Sequence, residues 1–299
     1  MQKGWASNGW IIVSVLFIGT VFLLAGSVAK NYYDNRIVMI PVDPPRAEVE
    51  TKRVILLVLD TVRVESMSLY GGRSQTVNLE AFGQDALVFE NCIAPAPWTV
   101  PSHASMFTGQ PPLEHGCYGN LESTQRDIFN FPEPNPLADE ALTLAEIFQK
   151  NGFATVGIVS NPLVFKPSIN LGQGFQVRDV AWGLGQIYQN SFRTPLHLLC
   201  AMTGFWPQAV LYYRTADMIV AKALSVLEKA EENPIFLFVN FLDAHEPYYP
   251  PRPFAGEFFK GRFPQLERLR LFLLHYFLNR ISPQVWNFFQ LTQYESEIM

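Results

Sequence analysis

Two residue types set at the edges of ordered segments suggest chemistry. Asp60 closes the apolar run Arg53-Val54-Ile55-Leu56-Leu57-Val58-Leu59-Asp60. A carboxylate there is a hard oxygen ligand, suited to Ca²⁺, Mg²⁺ or Mn²⁺. Thr99 opens the segment Thr99-Val100-Pro101-Ser102-His103, with Pro101 placed for the first turn of a helix. Unpaired N–H groups at a helix start favour an anion. A threonine hydroxyl is a weak nucleophile alone, and metal coordination is one way to activate it. The ordinary alternatives are a capping Asp at a strand end and a threonine that only starts a helix.

The elements that must position these residues alternate in type. The run ending at Asp60 is apolar on both faces and β-branched, which predicts a central strand of a parallel sheet. Open α/β sheets gather ligands at the carboxyl ends of their strands, where Asp60 falls. Ala86–Ile93 predicts a strand and Ser102–Phe107 a short helix. Leu142–Asn151 predicts a helix stopped by Gly152, and Ala154–Val159 the next strand. Arg214–Glu232 has helical spacing, with Ala216, Ile219, Val220, Ala223 and Leu227 on one face, and Pro234 ends it. Ile235–Leu242 is another all-apolar strand, followed by Asp243. Strands alternating with helices indicate an α/β sandwich. Segments 180–213 and 254–289, rich in aromatics and Leu, could form helical caps over a site or extend the core.

The bulk numbers fit one sizeable core. Hydrophobic residues make up 48% of the 299 and charged residues 16%, too apolar for disorder. A net charge of −5 argues against nucleic acid as a partner. Cys92 and Cys117 flank the Thr99 segment and Cys200 lies apart. They read as unpaired thiols, with a Cys92–Cys117 disulfide as the alternative in an oxidising compartment.

Residues 10–29 carry no charge. As a helix they would extend about 30 Å, the thickness of a bilayer's hydrocarbon core. They predict a transmembrane anchor, with an uncleaved or cleaved signal as the alternative because Ser27-Val28-Ala29 has small residues at a cleavage spacing. Residues 1–9 form a short flank, and residues 30–52, with Pro41, Pro44 and Pro45, an extended tether. The remaining residues, 53–299, read as the catalytic domain.

Thr99-Val100-Pro101-Ser102-His103, with Thr108-Gly109 downstream, resembles the sulfatase signature C/S-x-P-S-R. Leu69-Tyr70-Gly71-Gly72, Phe89-Glu90-Asn91, Gly172-Gln173-Gly174-Phe175 and Asp243-Ala244-His245-Glu246-Pro247-Tyr248 resemble further family landmarks in order. The resemblance implies an alkaline-phosphatase-like sandwich: a mostly parallel sheet with helices on both faces. It implies a sulfate- or phosphate-ester substrate, a divalent metal held by Asp60 and Thr99, and action outside the cytoplasm. His103 stands at the signature's Arg position. There it would contact the ester oxygens or leaving group, or else be a surface residue of the first turn. His245 resembles the family's H-x-P element, a contact to the anion or leaving oxygen. Ser102 and Asn161 fall where substrate contacts are expected, although the family's Lys-x-His near Asn161 is absent. Asp243 reads as a residue that orients its loop.

Three departures qualify the resemblance. Threonine at position 99 cannot give the formylglycine of standard sulfatases. It resembles the threonine of phosphoethanolamine and glycerol-phosphate transferases, and that of sulfatase-like proteins with T-x-P-S-H. Thr61 replaces a second Asp. Tyr294–Met299 resembles the start of a helix that precedes the family's remaining metal ligands, so the chain is expected to be truncated, with water completing the metal's shell. Three readings follow: a sulfuric-ester hydrolase, a phosphoryl transferase or phosphodiesterase with a phosphothreonine at Thr99, and a non-catalytic, membrane-tethered fragment. Both enzymatic readings require Asp60 and Thr99 to lie within roughly 8 Å, the reach of one shared cation.

Overall fold

The computed structural model describes residues 52–72, 74–119, 134–180 and 214–245. The segments 10–29, 181–213 and 254–289 lie outside the described residues, as does Cys200. Among the described residues no helix is long and apolar enough to cross a membrane.

Among the described residues four parallel strands form a sheet: β1 (Arg53–Leu59), β2 (Ala154–Val159), β3 (Val177–Val180) and β4 (Ile235–Phe241), in the order β1-β4-β2-β3. Strand β4 pairs with β1 from Arg53↔Ile235 to Leu59↔Phe241, and with β2 from Ala154↔Ile235 to Val159↔Asn240. The described residues also form five α-helices: α1 (Val77–Gln84), α2 (Thr99–Thr108), α3 (Pro112–His115), α4 (Leu144–Lys150) and α5 (Ala216–Ala230). The α/β sandwich expected from the alternation is present.

The two-residue period of β4 divides the core. Phe236 and Phe238 face one side and pack with Val100, Ala104 and Phe107 of α2. Ile235, Leu237 and Val239 face the other and pack with Ile219 and Val226 of α5. On the first side the rings interlock: Phe107 and Phe238 meet edge-on with centroids 5.0 Å apart, and Phe148 stacks on Phe236 at 4.4 Å. Gly157 of β2 lies under this cluster, where a Cβ would come within 2.2 Å of the Phe165 ring.

Local signals set the helix boundaries. Thr143 and Glu146 form a reciprocal capping box at the start of α4, which trims the predicted start at Leu142 to Leu144. Gly109 ends α2 in the left-handed conformation at φ 71°.

Three expectations are corrected. Ala86–Ile93 is not a strand. Leu87, Phe89 and Ile93 are 81%, 62% and 89% exposed, and apolar, β-branched content makes no strand where the chain joins no ladder among the described strands. Strand β1 was expected at the centre, yet among the described strands it lies at an edge, and Ile55, Leu57 and Leu59 are exposed on one face. On α5, Ile219, Ala223 and Leu227 do face the sheet, but Val220 is exposed. Lys222 is buried instead, because its ammonium pairs with Asp179, which also holds buried Arg214 at 2.7 Å.

Candidate functional site

The site lies at the carboxyl ends of β1, β2 and β4. The Asp60 N–H donates to the Phe241 carbonyl at 3.0 Å, extending the β1–β4 ladder by one residue and fixing the Asp60 backbone. The chain then turns through Thr61, which takes the left-handed conformation at φ 60°. Few β-branched residues adopt it. The Thr61 hydroxyl donates to the Ala244 carbonyl at 2.8 Å and ties the turn after β1 to the loop after β4.

Thr99 is the first residue of α2. Trp98 precedes it in extended conformation and no side chain caps the helix. Pro101 has no N–H, and the Ser102 N–H reaches the Trp98 carbonyl at 3.4 Å. The N–H groups of Thr99 and Val100 therefore remain without an intrahelical acceptor.

Asn161 follows β2 and joins the two. Its side-chain nitrogen donates to Asp60 Oδ2 at 2.8 Å and to Thr99 Oγ1 at 3.1 Å. The two oxygens can be no farther apart than the sum of these bonds, which is inside the roughly 8 Å limit for one shared cation. Asn240, on β4, accepts the Asn161 backbone N–H at 3.0 Å. Both are buried.

His103 is 3% exposed, so the surface alternative does not hold. Its Nδ1 lies 2.8 Å from the Thr99 carbonyl. A carbonyl only accepts, so Nδ1 carries the proton and Nε2 the lone pair. Nε2 has no partner among the described residues. The ring meets Phe107 and Phe238 edge-on, each at 6.1 Å. This burial pushes the imidazole below the ordinary histidine range, against the opposing pull of the Thr99 carbonyl and the Asp60 charge.

The loop after β4 holds Asp243 and His245. Asp243 Oδ1 accepts the Ala216 N–H at 2.9 Å at the start of α5, a structural tie. Burial raises its carboxyl pKa. The His245 N–H donates to the Leu242 carbonyl at 3.0 Å, and the clamp from Thr61 to neighbouring Ala244 draws this loop toward the turn after Asp60. Ser102 is half-buried in the first turn of α2. Cys92 and Cys117 are free thiols, one exposed and one buried.

The donor set fits a hard divalent cation in kind, since it offers one carboxylate and one hydroxyl oxygen side by side. It supplies only part of a coordination shell, and among the described residues no group of three His, Cys, Asp or Glu side chains could hold a metal. Asn240 is a structural contributor that sequence reasoning missed, and Thr61, read there only as replacing a second Asp, ties the two loops together. Asn240 did leave a signal, as the lone polar residue in Ile235–Leu242.

A carboxylate and a helix-start hydroxyl thus meet at the strand ends of a parallel sheet, the arrangement of an α/β protein that gathers its ligands at that edge. The sulfatase family's sequence model matches residues 52–290, and the chain belongs to that family. It is 26% identical over 230 residues to an N-acetylglucosamine-6-O-sulfatase of Bacteroides thetaiotaomicron, covering 75% of this chain and 36% of that protein. It is 25% identical over 231 residues to the human N-acetylgalactosamine-6-sulfatase, covering 70% of this chain and 42% of that protein. The chain thus spans about two fifths of the length of these curated relatives. A solved structure of a protein in complex with its substrate D-glucosamine-2-N,6-O-disulfate superposes with a TM-score of 0.50 at 22% identity, covering 72% of this chain and 39% of that one. That likeness shows the shared fold.

Proposed function

We propose that this chain carries part of a metal-dependent sulfuric-ester hydrolase, with Thr99 as the attacking group and a sugar sulfate as substrate class. The observation that carries the reading is the single amide nitrogen on which the Asp60 carboxylate and Thr99 hydroxyl meet. Family membership supports sulfate-ester chemistry, and the relatives' names point to 6-sulfated amino sugars.

Each residue has a physical role in this reading. Asp60 and Thr99 would hold a Ca²⁺, Mg²⁺ or Mn²⁺ ion together with water. Such an ion neutralises charge on the ester and lowers the pKa of a coordinated hydroxyl. The open first turn of α2 receives the ester's anionic oxygens, with Ser102 beside it. Thr99 Oγ1 accepts from Asn161, so its own proton is left to be lost. His103 is a neutral imidazole one turn along, with the Nε2 lone pair free to take a proton. His245 serves the anion or leaving oxygen from the facing loop. Membrane tethering through residues 10–29, with the domain outside the cytoplasm, belongs to the same proposal and rests on the uncharged run alone.

The test is turnover of an aryl sulfate and an aryl phosphodiester by the membrane-inserted chain with Mn²⁺ or Ca²⁺. Aryl sulfate hydrolysis lost in Thr99→Ala supports the reading. A covalent adduct on Thr99 with the phosphodiester alone would instead identify a phosphoryl transferase. Turnover unaffected by Thr99→Ala, or none of either substrate, would reject the nucleophile assignment for this chain.

A further inference from the structure

We propose that Asn161 is a positioning residue: its side-chain amide holds the Asp60 carboxylate and Thr99 hydroxyl in register, and Asn240 fixes Asn161 in turn. Asp60 and Thr99 come from different elements, a strand end and a helix start. Among the described residues no direct bond joins them, and Asn161 is the bridge.

The orientation of the amide follows from its surroundings. Asn161 Oδ1 lies 3.1 Å from the Leu163 N–H. That group can only donate, so the amide end facing it must be oxygen. The NH₂ end then faces the site, where its two hydrogens meet two acceptors at 2.8 and 3.1 Å. Both N–H bonds are used within the protein. This use of both donors favours a bridging role for Asn161 over the substrate contact expected from the sequence.

The backbone of Asn161 is held as firmly as its side chain. Pro162 follows it and restricts it to extended conformations. Its N–H donates to Asn240 Oδ1, while the Ser160 N–H donates to the Asn240 carbonyl at 3.0 Å. Strand β4 lies between β1 and β2, so Asn240 references Asn161 to the strand that also carries the register of Asp60. Asn161 is 5% exposed and Asn240 fully buried, so water competes little for these bonds.

This inference rests on the reading of Asp60 and Thr99 as the reacting pair, but its decisive test needs no turnover. Urea unfolding of the full chain is compared for wild type, Asn161→Ala, Asp60→Ala and the double variant. If Asn161 bridges, the double variant loses less stability than the two single losses together, and the same holds for a cycle with Thr99→Val. Additive losses in both cycles would overturn the proposal. Should Asn161→Ala not fold, Asn161→Ser runs the same cycle. Asn240→Asp, which keeps an oxygen for the Asn161 N–H, should preserve the coupling that Asn240→Leu abolishes. With an aryl sulfate, the positioning role predicts a kcat for Asn161→Ala lowered on the order of 10²-fold with KM little changed. A rise in KM alone would return Asn161 to substrate binding and overturn the proposal. Wild type without turnover would sink the functional reading while the stability cycles still decide this one.

Discussion

The hydroxyl of Thr61 donates to the Ala244 carbonyl at 2.8 Å while its own backbone sits at φ 60°. A β-branched residue in this conformation carries backbone strain of order 1–3 kcal/mol, which persists only where surrounding contacts over-determine it. Thr61→Asn, a residue that tolerates the conformation, should hold or raise stability. Thr61→Val keeps the strain and loses the bond, and should cost about 0.5–1.5 kcal/mol. Urea midpoints of both variants against wild type check this; a Thr61→Val midpoint equal to that of wild type would show that the clamp contributes nothing.

Acid should loosen the helix pair α2 and α3. The Cys117 N–H donates to His115 Nδ1 at 3.0 Å, so Nε2 carries the proton and faces Ser105 Oγ at 3.0 Å. Burial lowers the His115 pKa below its ordinary 6.5, as it does for His103. A histidine depressed in the folded state is protonated more readily when unfolded. Its contribution is fully present above the unfolded value and is lost as pH falls through the folded one. Stability should therefore decline as pH falls below the ordinary histidine value of 6.5, and His115→Gln should flatten that slope. An unchanged slope in the variant would place the titration elsewhere.

Thiol chemistry should separate the two described cysteines. Burial raises the Cys117 thiol to about 11, while Cys92 is exposed. The thiolate is the reactive species. Iodoacetamide at pH 8 should label Cys92 within minutes and Cys117 only in denaturant, as read by peptide mass spectrometry. Labelling of Cys117 in the native chain would contradict its burial.

The buried ion cluster should be sensitive at its anion. Asp179 faces both Arg214 and Lys222 on the α5 side of the sheet. Asp179→Asn leaves two buried cations without their shared carboxylate and should cost about 3–5 kcal/mol. Lys222→Met leaves the Arg214–Asp179 pair intact and should cost much less. Comparable losses would mean that the cluster does not depend on its carboxylate.

Strand β4, buried on both faces, and the exposed face of β1 should respond differently to substitution. Phe238 is fully buried among Phe107, Phe165 and Phe175, and Phe238→Ala should cost about 3–5 kcal/mol. Leu57 is 60% exposed, and Leu57→Lys should cost within about 0.5 kcal/mol. A large loss at Leu57 would mean that its face is covered in solution.

The sequence by itself determined β1, β2, β4, α2, α4 and α5 and their order, because each was written in local chemistry. The all-apolar run Ile235–Leu242, the α5 spacing and the position of Gly152 are short-range signals, and they placed β4, α5 and the end of α4 within a few residues. The acidic strand end at Asp60 and the helix start at Thr99 were legible for the same reason. Tertiary structure alone decided what those elements meet. Ala86–Ile93 has strand-like composition but joins no ladder among the described strands, and β1 lies at an edge of the described sheet because neighbours, not composition, fix a strand's place. His103 turned out buried because α2 lays that face on Phe238. The links among Asp60, Thr99, Asn161 and Asn240 span separate strand ends and a helix, and bonds between residues so far apart in the chain leave no periodicity for a sequence to show.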